Sequence, residues 1–137
     1  MQNNSAKKKF YKVVKNHSPS QEVYKSARCG GTVHYPLGKW TSTKNNTRLF
    51  VFDNLSSAKD FCISKDGEMI FECEIKGGIR LQGAMETYQN VEFWQIVNKV
   101  LAKKKSNYRS ALKKAGIVLA DYPAILAKSV KLIKRVD

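Results

Sequence analysis

Residues 69–75 read MIFECEI, and this alternation of apolar and acidic side chains decides the fold class of the chain. The odd-numbered positions are apolar, Glu72 and Glu74 stand between them, and Ile70 is the one exception. Because successive side chains of a strand point to opposite faces, the pattern predicts a half-buried β-strand. The following Gly77 and Gly78 predict a turn into a brief strand at residues 79–81.

The segment before this strand predicts a buried strand followed by a short helix. Residues 49–52 read LFVF, and a continuous apolar run of this length is typical of a strand covered on both faces. Asn54 or Ser56 can cap the helix, in which apolar residues then recur at helical spacing. Shorter strands are predicted nearer the N-terminus, at residues 10–14, 22–27 and 32–35.

From about residue 86 the apolar period changes to 3.6, which predicts three helices. In the last of them Leu126, Val130 and Ile133 form the inward stripe. Strands followed by a separate run of helices indicate an α+β fold, here a small antiparallel β-rich module with one short helix and three C-terminal helices packed on it. We expect a disordered basic tail at residues 1–9 and one domain at 10–137, with a β-rich part at 10–82 and a helical basic part at 86–137.

Charge is the outstanding feature of the composition. The chain has 137 residues, with 25 Lys+Arg against 11 Asp+Glu and a formal net charge of +14. Such an excess opposes compaction and attracts polyanions, so an anionic partner is expected. Solubility alone is the competing explanation.

The strongest candidate for anion binding is the basic surface of the predicted C-terminal helices. Residues three or four apart on a helix project from the same side, so their cations can neutralise neighbouring phosphates. The alternative is that these cations only satisfy helix carbonyls and helix dipoles. The candidate nucleic-acid-binding or anion-binding residues are Lys103, Lys104, Lys105, Arg109, Lys113, Lys114, Lys128, Lys131, Lys134 and Arg135.

A second candidate binding loop lies between residues 28 and 48. Aromatic side chains among cations suit base stacking combined with phosphate contact, and they suit a nucleotide pocket equally well. Trp40 can instead fold back as a lid on the core. The candidate residues of this loop are Arg28, His34, Lys39, Trp40, Lys44 and Arg48.

Other chemistry has little support in the sequence. Cys62 and Cys73 fall in apolar patterns and are expected to be buried thiols without catalytic work, which suits a reducing compartment such as the cytoplasm. His17 and His34 have no partners at metal-ligand spacing, and no nucleotide or cofactor fingerprint occurs, so neither metal nor cofactor is expected. No apolar run is long enough for a transmembrane helix.

Parts of the chain resemble a class of small uncharacterised proteins carried by phages and bacteria. The similarity follows the pattern YKVV (11–14), GKW (38–40), LFVFDNLSSAKDF (49–61) and FECEI (71–75). It covers roughly residues 10–80 and implies a compact β-rich module with one short helix, frequently of viral origin. Small phage proteins often counter host defence, and this resemblance extends the range of partners to consider.

The sequence therefore predicts a non-enzymatic protein that binds nucleic acid. The alternative is a phage counter-defence inhibitor that binds a host protein or sequesters a nucleotide messenger. A nucleotidyl or ADP-ribosyl transferase-like enzyme is the third hypothesis, for which no catalytic residue is assigned.

Overall fold

The computed structural model describes residues 8–27, 33–42, 47–81, 91–103, 108–117 and 124–137. These ranges contain nine strands: β1 (Phe10–Ser18), β2 (Val23–Ser26), β3 (His34–Pro36), β4 (Trp40–Ser42), β5 (Leu49–Val51), β6 (Met69–Lys76), β7 (Ile79–Leu81), β8 (Ala124–Ala127) and β9 (Ser129–Arg135). They also contain α1 (Leu55–Phe61), α2 (Val91–Lys103), α3 (Tyr108–Lys114) and 3-10 turns at Pro19–Gln21 and Ser64–Asp66.

Six strands form a nearly closed, barrel-like sheet in the order β3-β2-β1-β6-β9-β4. Every pair in this order is antiparallel. The ends of the order approach each other, because Thr41 Oγ1 donates to the His34 carbonyl over 3.3 Å. The turn between β3 and β4 is also tied to β9, since the Gly38 amide donates to the Leu132 carbonyl over 2.9 Å.

A smaller sheet, in the order β5-β8-β7, continues from the larger one. Gly77 and Gly78 separate β6 from β7, while Lys128 separates β8 from β9, and the Lys128 amide donates to the Lys76 carbonyl over 2.9 Å. A Cβ atom on Gly78 would lie 2.9 Å from Ile75 Cδ1, which is too close for any other residue without rearrangement. Two paired strands thus pass from one sheet into the other at the same level.

The core has three parts that correspond to these layers. The barrel interior is filled by inward side chains such as Val14, Phe71 and Leu132. Helix α1 covers the outer side of β1 and β6 over a cluster that includes Val13 and Ile70. Helices α2 and α3 pack on the smaller sheet in a third cluster, whose buried members are Phe93, Trp94, Val97, Leu112, Ile117 and Leu126.

Several strand and helix predictions are confirmed. Residues 69–76 form β6, and the predicted inward residues Met69, Phe71 and Cys73 are buried. Asn54 caps α1, where its side chain accepts a hydrogen bond of 2.7 Å from the Ser57 amide.

The predicted fold class is wrong in the C-terminal part. The described residues contain two helices after β7, not three, and residues 124–135 form β8 and β9 within the two sheets. Leu126 and Val130 are buried as predicted, but Leu126 lies on β8 and Val130 on β9, in different core clusters. Two residues of separate strands thus fall at the spacing of one helical face. The protein is therefore mostly β.

Ile133 shows the error most directly, because it was predicted to face inward and is 36% exposed. Pairing with β6 places Leu132 opposite Cys73 and Lys134 opposite Glu72, so Ile133 is the extra residue at a register shift. A residue at such a β-bulge leaves the regular alternation of the strand. Leu132, not Ile133, is the residue that points into the barrel, where it is fully buried.

Candidate nucleic-acid interface

Trp40 lies on the outer wall of the barrel between two lysines. It is 38% exposed and pairs directly with Lys131 across β4 and β9. The Nζ atom of Lys131 lies 5.2 Å from the indole ring centroid, and the Nζ atom of Lys76 lies 4.2 Å from it. We call these three residues the Trp40 cluster.

Strand alternation explains why the cluster faces outward. Val130 and Leu132 are fully buried in the barrel, so Lys131 between them projects to the opposite face. Lys76 ends β6 on the same face as Glu74, two residues before it. Glu74 Oε1 lies 3.4 Å from Lys131 Nζ and therefore helps to hold this ammonium group beside the indole.

The Trp40 cluster offers two kinds of contact on one surface. The ammonium groups of Lys76 and Lys131 lie over the indole ring. A base that stacks on this flat apolar ring takes the place of an ammonium group, and the displaced group carries charge for phosphate. A cation over the face of an exposed aromatic ring contributes about 0.5–1 kcal/mol, so the lysines hold the indole in this position until a base replaces them. The alternative, in which Trp40 folds back as a lid on the core, is less favoured by its position on the outer face beside Lys131.

The structure joins members of the two predicted sites and leaves others apart. Trp40, from the predicted loop, meets Lys131, from the predicted helical surface. Lys39 is exposed next to Trp40, and Arg48 is half-buried just before β5. His34 is exposed on β3, where its ring stacks on that of His17 with centroids 4.0 Å apart.

The remaining predicted cations lie on several elements. Lys103 is exposed at the end of α2, and Lys113 and Lys114 are exposed at the end of α3. Lys128 is exposed at the bend between β8 and β9, and Lys134 and Arg135 are exposed on β9, with Arg135 Nε 2.8 Å from Asp137 Oδ1. Arg28, Lys44, Lys104, Lys105 and the side chain of Arg109 lie outside the described residues.

Lys76 was missed by sequence reasoning although it lies closest to the Trp40 ring. The alternation of residues 69–75 extends by one step to Lys76, which puts it on the outer face with Glu72 and Glu74. That signal was available. The sequence did not show that Trp40 lies next to Lys76. The two residues come together only because β4 pairs with β9 and β9 pairs with β6.

The thiols divide between two environments. Cys73 is buried in the barrel, as predicted, and burial raises the pKa of its thiol to about 12. A thiol of this kind stays protonated and is a poor nucleophile. Cys62 is half-buried rather than fully buried.

Asp53 illustrates the structural use of charge outside the Trp40 cluster. Partial burial raises the pKa of its carboxyl, but hydrogen bonds from Arg80 and Asn54 and the charge of Arg80 outweigh this and lower it below its ordinary value. The Arg80–Asp53 ion pair connects β7 to the start of α1. These groups stabilise the fold and leave the Trp40 cluster as the better candidate for binding.

Metal clusters and membrane-spanning helices are both absent from the described ranges. No group of three or more His, Cys, Asp and Glu residues there could hold a metal ion. None of the helices in those ranges has the length and apolar character needed to cross a membrane. Comparison with protein families, curated proteins and solved structures finds no match to this chain, so its function is inferred from its own residues.

Proposed function

We propose that the protein is a non-enzymatic nucleic-acid-binding protein that holds single-stranded nucleic acid on the outer wall of its barrel, with a base stacked on Trp40. The observation that carries the proposal is the exposed indole of Trp40, whose ring centroid lies 4.2 Å from Lys76 Nζ and 5.2 Å from Lys131 Nζ. Proteins that bind single strands without strict sequence preference combine aromatic stacking platforms with cations that follow the backbone.

The energetics of such a surface are favourable. Stacking of a base on an aromatic side chain contributes about 1–3 kcal/mol, and each lysine that neutralises a phosphate releases counterions. The net charge of +14 raises the local concentration of any polyanion before contact is made. Exposed lysines at the ends of α2 and α3 add to this long-range attraction without needing to touch the ligand.

The proposal is tested by titrating a labelled single strand of about 15 nucleotides, near the upper site size for one such surface. Fluorescence anisotropy at several salt concentrations should give an affinity that falls steeply with salt. Trp40 is exposed and Trp94 is 6% exposed, so quenching of indole emission on binding should come from Trp40 and disappear in W40F.

The matched variants are K76Q/K131Q and K59Q/K65Q. Both remove two positive charges, but Lys59 and Lys65 are exposed on α1 and on the 3-10 turn after it, outside the Trp40 cluster. We expect K76Q/K131Q to weaken binding about tenfold more than K59Q/K65Q, because it removes phosphate contacts as well as net charge.

Two results would contradict the proposal. Equal losses in both double variants would show that only net charge attracts the nucleic acid. Absence of binding by the wild-type protein at low salt would overturn nucleic acid as the partner. If the same surface then captured a host protein after nuclease treatment, or bound a nucleotide messenger, the counter-defence alternative would be favoured.

A further inference from the structure

A second group of basic side chains is aligned across the other side of the barrel. The strand register places Lys15 opposite Lys25 and Lys25 opposite His34, so one row crosses β1, β2 and β3. The ring of His17 stacks on that of His34 with an interplanar angle of 19°. We call these four residues the basic row.

The basic row faces outward. Its neighbours Val14 and Tyr35 are buried in the barrel, and Tyr24 packs inward with its ring centroid 4.5 Å from that of Phe71. Since alternate residues of a strand point to opposite faces, Lys15 and Lys25 project from the outer wall. Both lysines are half-buried and both histidines are exposed.

The row is electrostatically unfavourable in the isolated protein. Like charges directly opposite each other on neighbouring strands destabilise a sheet. Among the described residues, no ion pair involves Lys15 or Lys25. A polyanion lying across the row would relieve this repulsion.

The basic row is continuous with the Trp40 cluster along the wall. Trp40 precedes Thr41, whose hydroxyl donates to the carbonyl of His34 on the adjoining strand. Paired strands lie about 4.8 Å apart, so the wall from β1 to β3 spans about 10 Å, and the Thr41 hydrogen bond brings β4 next to β3. A strand of several nucleotides can cover this distance. Histidine rings can also stack on bases.

We propose that the basic row binds the phosphate backbone of the same strand whose base stacks on Trp40, which makes one track around the barrel from β4 to β1. This inference rests on the proposed function. It adds Lys15, Lys25 and His17 to the binding residues and predicts a minimum ligand length. A dinucleotide on Trp40 spans too little of the wall to reach Lys15, whereas a longer strand contacts the whole row.

The experiment compares K15Q/K25Q with K59Q/K65Q on a dinucleotide and on a single strand of about 15 nucleotides, near the upper end of the usual site size. For the longer strand we expect K15Q/K25Q to lose about tenfold more affinity than the control. The log–log salt slope should fall by about 0.7 for each phosphate contact removed. For the dinucleotide the two double variants should bind alike.

A footprint on the wild-type protein keeps the test valid if the variant is poorly folded. Bound 15-nucleotide strand should protect Lys15 and Lys25 from reductive methylation, as measured by mass spectrometry, and should leave Lys59 reactive. Unprotected Lys15 and Lys25, or equal affinity of K15Q/K25Q and K59Q/K65Q for the longer strand, would overturn the inference while the Trp40 site stands. A wild-type protein that binds neither strand would overturn the proposed function as well.

Discussion

The two sides of the barrel wall use the same alternation of residues but differ in how their outward cations are matched. On β6 and β9, Lys131 lies 3.4 Å from Glu74 and Lys134 stands opposite Glu72, and we call this side the paired wall because its lysines face glutamates. On β1, β2 and β3, Lys15 stands opposite Lys25, and we call this side the unpaired wall because like charges face each other there. A glutamate therefore positions a cation over Trp40 on one side, while on the other side a lysine stands directly opposite a lysine.

This difference separates two uses of positive charge. A lysine held by a carboxylate contributes little net field but has a defined position, which suits alignment beside an aromatic ring. Lysines that repel each other carry the full field of two charges, which suits attraction of a polyanion. The barrel interior is common to both walls and supplies the stability on which the outer faces depend.

The largest expected effect tests whether residues 129–135 form a strand of the paired wall. Leu132 is fully buried and Ile133 is 36% exposed, whereas the helical prediction placed Ile133 inward. We expect L132A to lower the free energy of unfolding by about 2–5 kcal/mol, as for other buried leucines. I133A should lower it by less than about 1 kcal/mol. Urea denaturation of both variants measures the contrast, and equal losses would contradict the strand register.

An intermediate effect concerns the inner face of the paired wall. Because burial raises the pKa of Cys73 from 9.0 to about 12, the unfolded protein releases this proton at lower pH than the folded protein. Burial of the protonated thiol therefore contributes fully to the free energy of unfolding below pH 9, and this contribution is lost as the pH rises towards 12. By pH 10.5 the free energy of unfolding should have fallen by about 2 kcal/mol.

Urea denaturation between pH 8 and 10.5 measures this slope in the wild-type protein and in C73A, which has no thiol to titrate. Burial also raises the pKa of the Tyr35 hydroxyl, so C73A should keep part of the pH dependence. Identical slopes in the two proteins would show that Cys73 is not a buried thiol in solution.

The smallest expected effect converts the unpaired wall into a paired one. K25E places a carboxylate between Lys15 and His34, so we expect the free energy of unfolding to rise by about 0.2–1 kcal/mol. The same change should weaken nucleic-acid binding, because two units of charge are lost from the basic row. Thermal denaturation and anisotropy measure both effects. A destabilised K25E that binds normally would remove the distinction between the two walls.

The sequence predicted those parts of the fold that depend on local pattern. Strand β6 and the Asn54 cap of α1 follow from alternation and from one side chain within reach of its own helix. Strands β8 and β9 were missed because Leu126 on β8 and Val130 on β9 happen to fall at helical spacing, and only pairing with distant strands shows that they belong to two strands. The β-branched residues Ile125, Val130 and Ile133 favour a strand, but the helical spacing of apolar residues in the same segment favoured a helix.

The candidate site was predicted only in fragments. Trp40 and Lys131 were both selected, but for different surfaces, since 90 positions separate them in the chain. Their contact depends on β4 pairing with β9, which no local pattern specifies. The alignment of Lys15, Lys25 and His34 depends in the same way on two strand registers.

The position of β9 between β6 and β4 has a consequence for synthesis on the ribosome. Strand β6 is complete at Lys76, but β9, which pairs with it, begins only at Ser129. At about 5–20 residues per second, the nascent chain carries β6 with an open edge for roughly 3–10 seconds. An open edge is a template for pairing with other chains. Slow translation of the segment between β6 and β9 should therefore increase aggregation of newly made protein without changing the stability of the finished molecule.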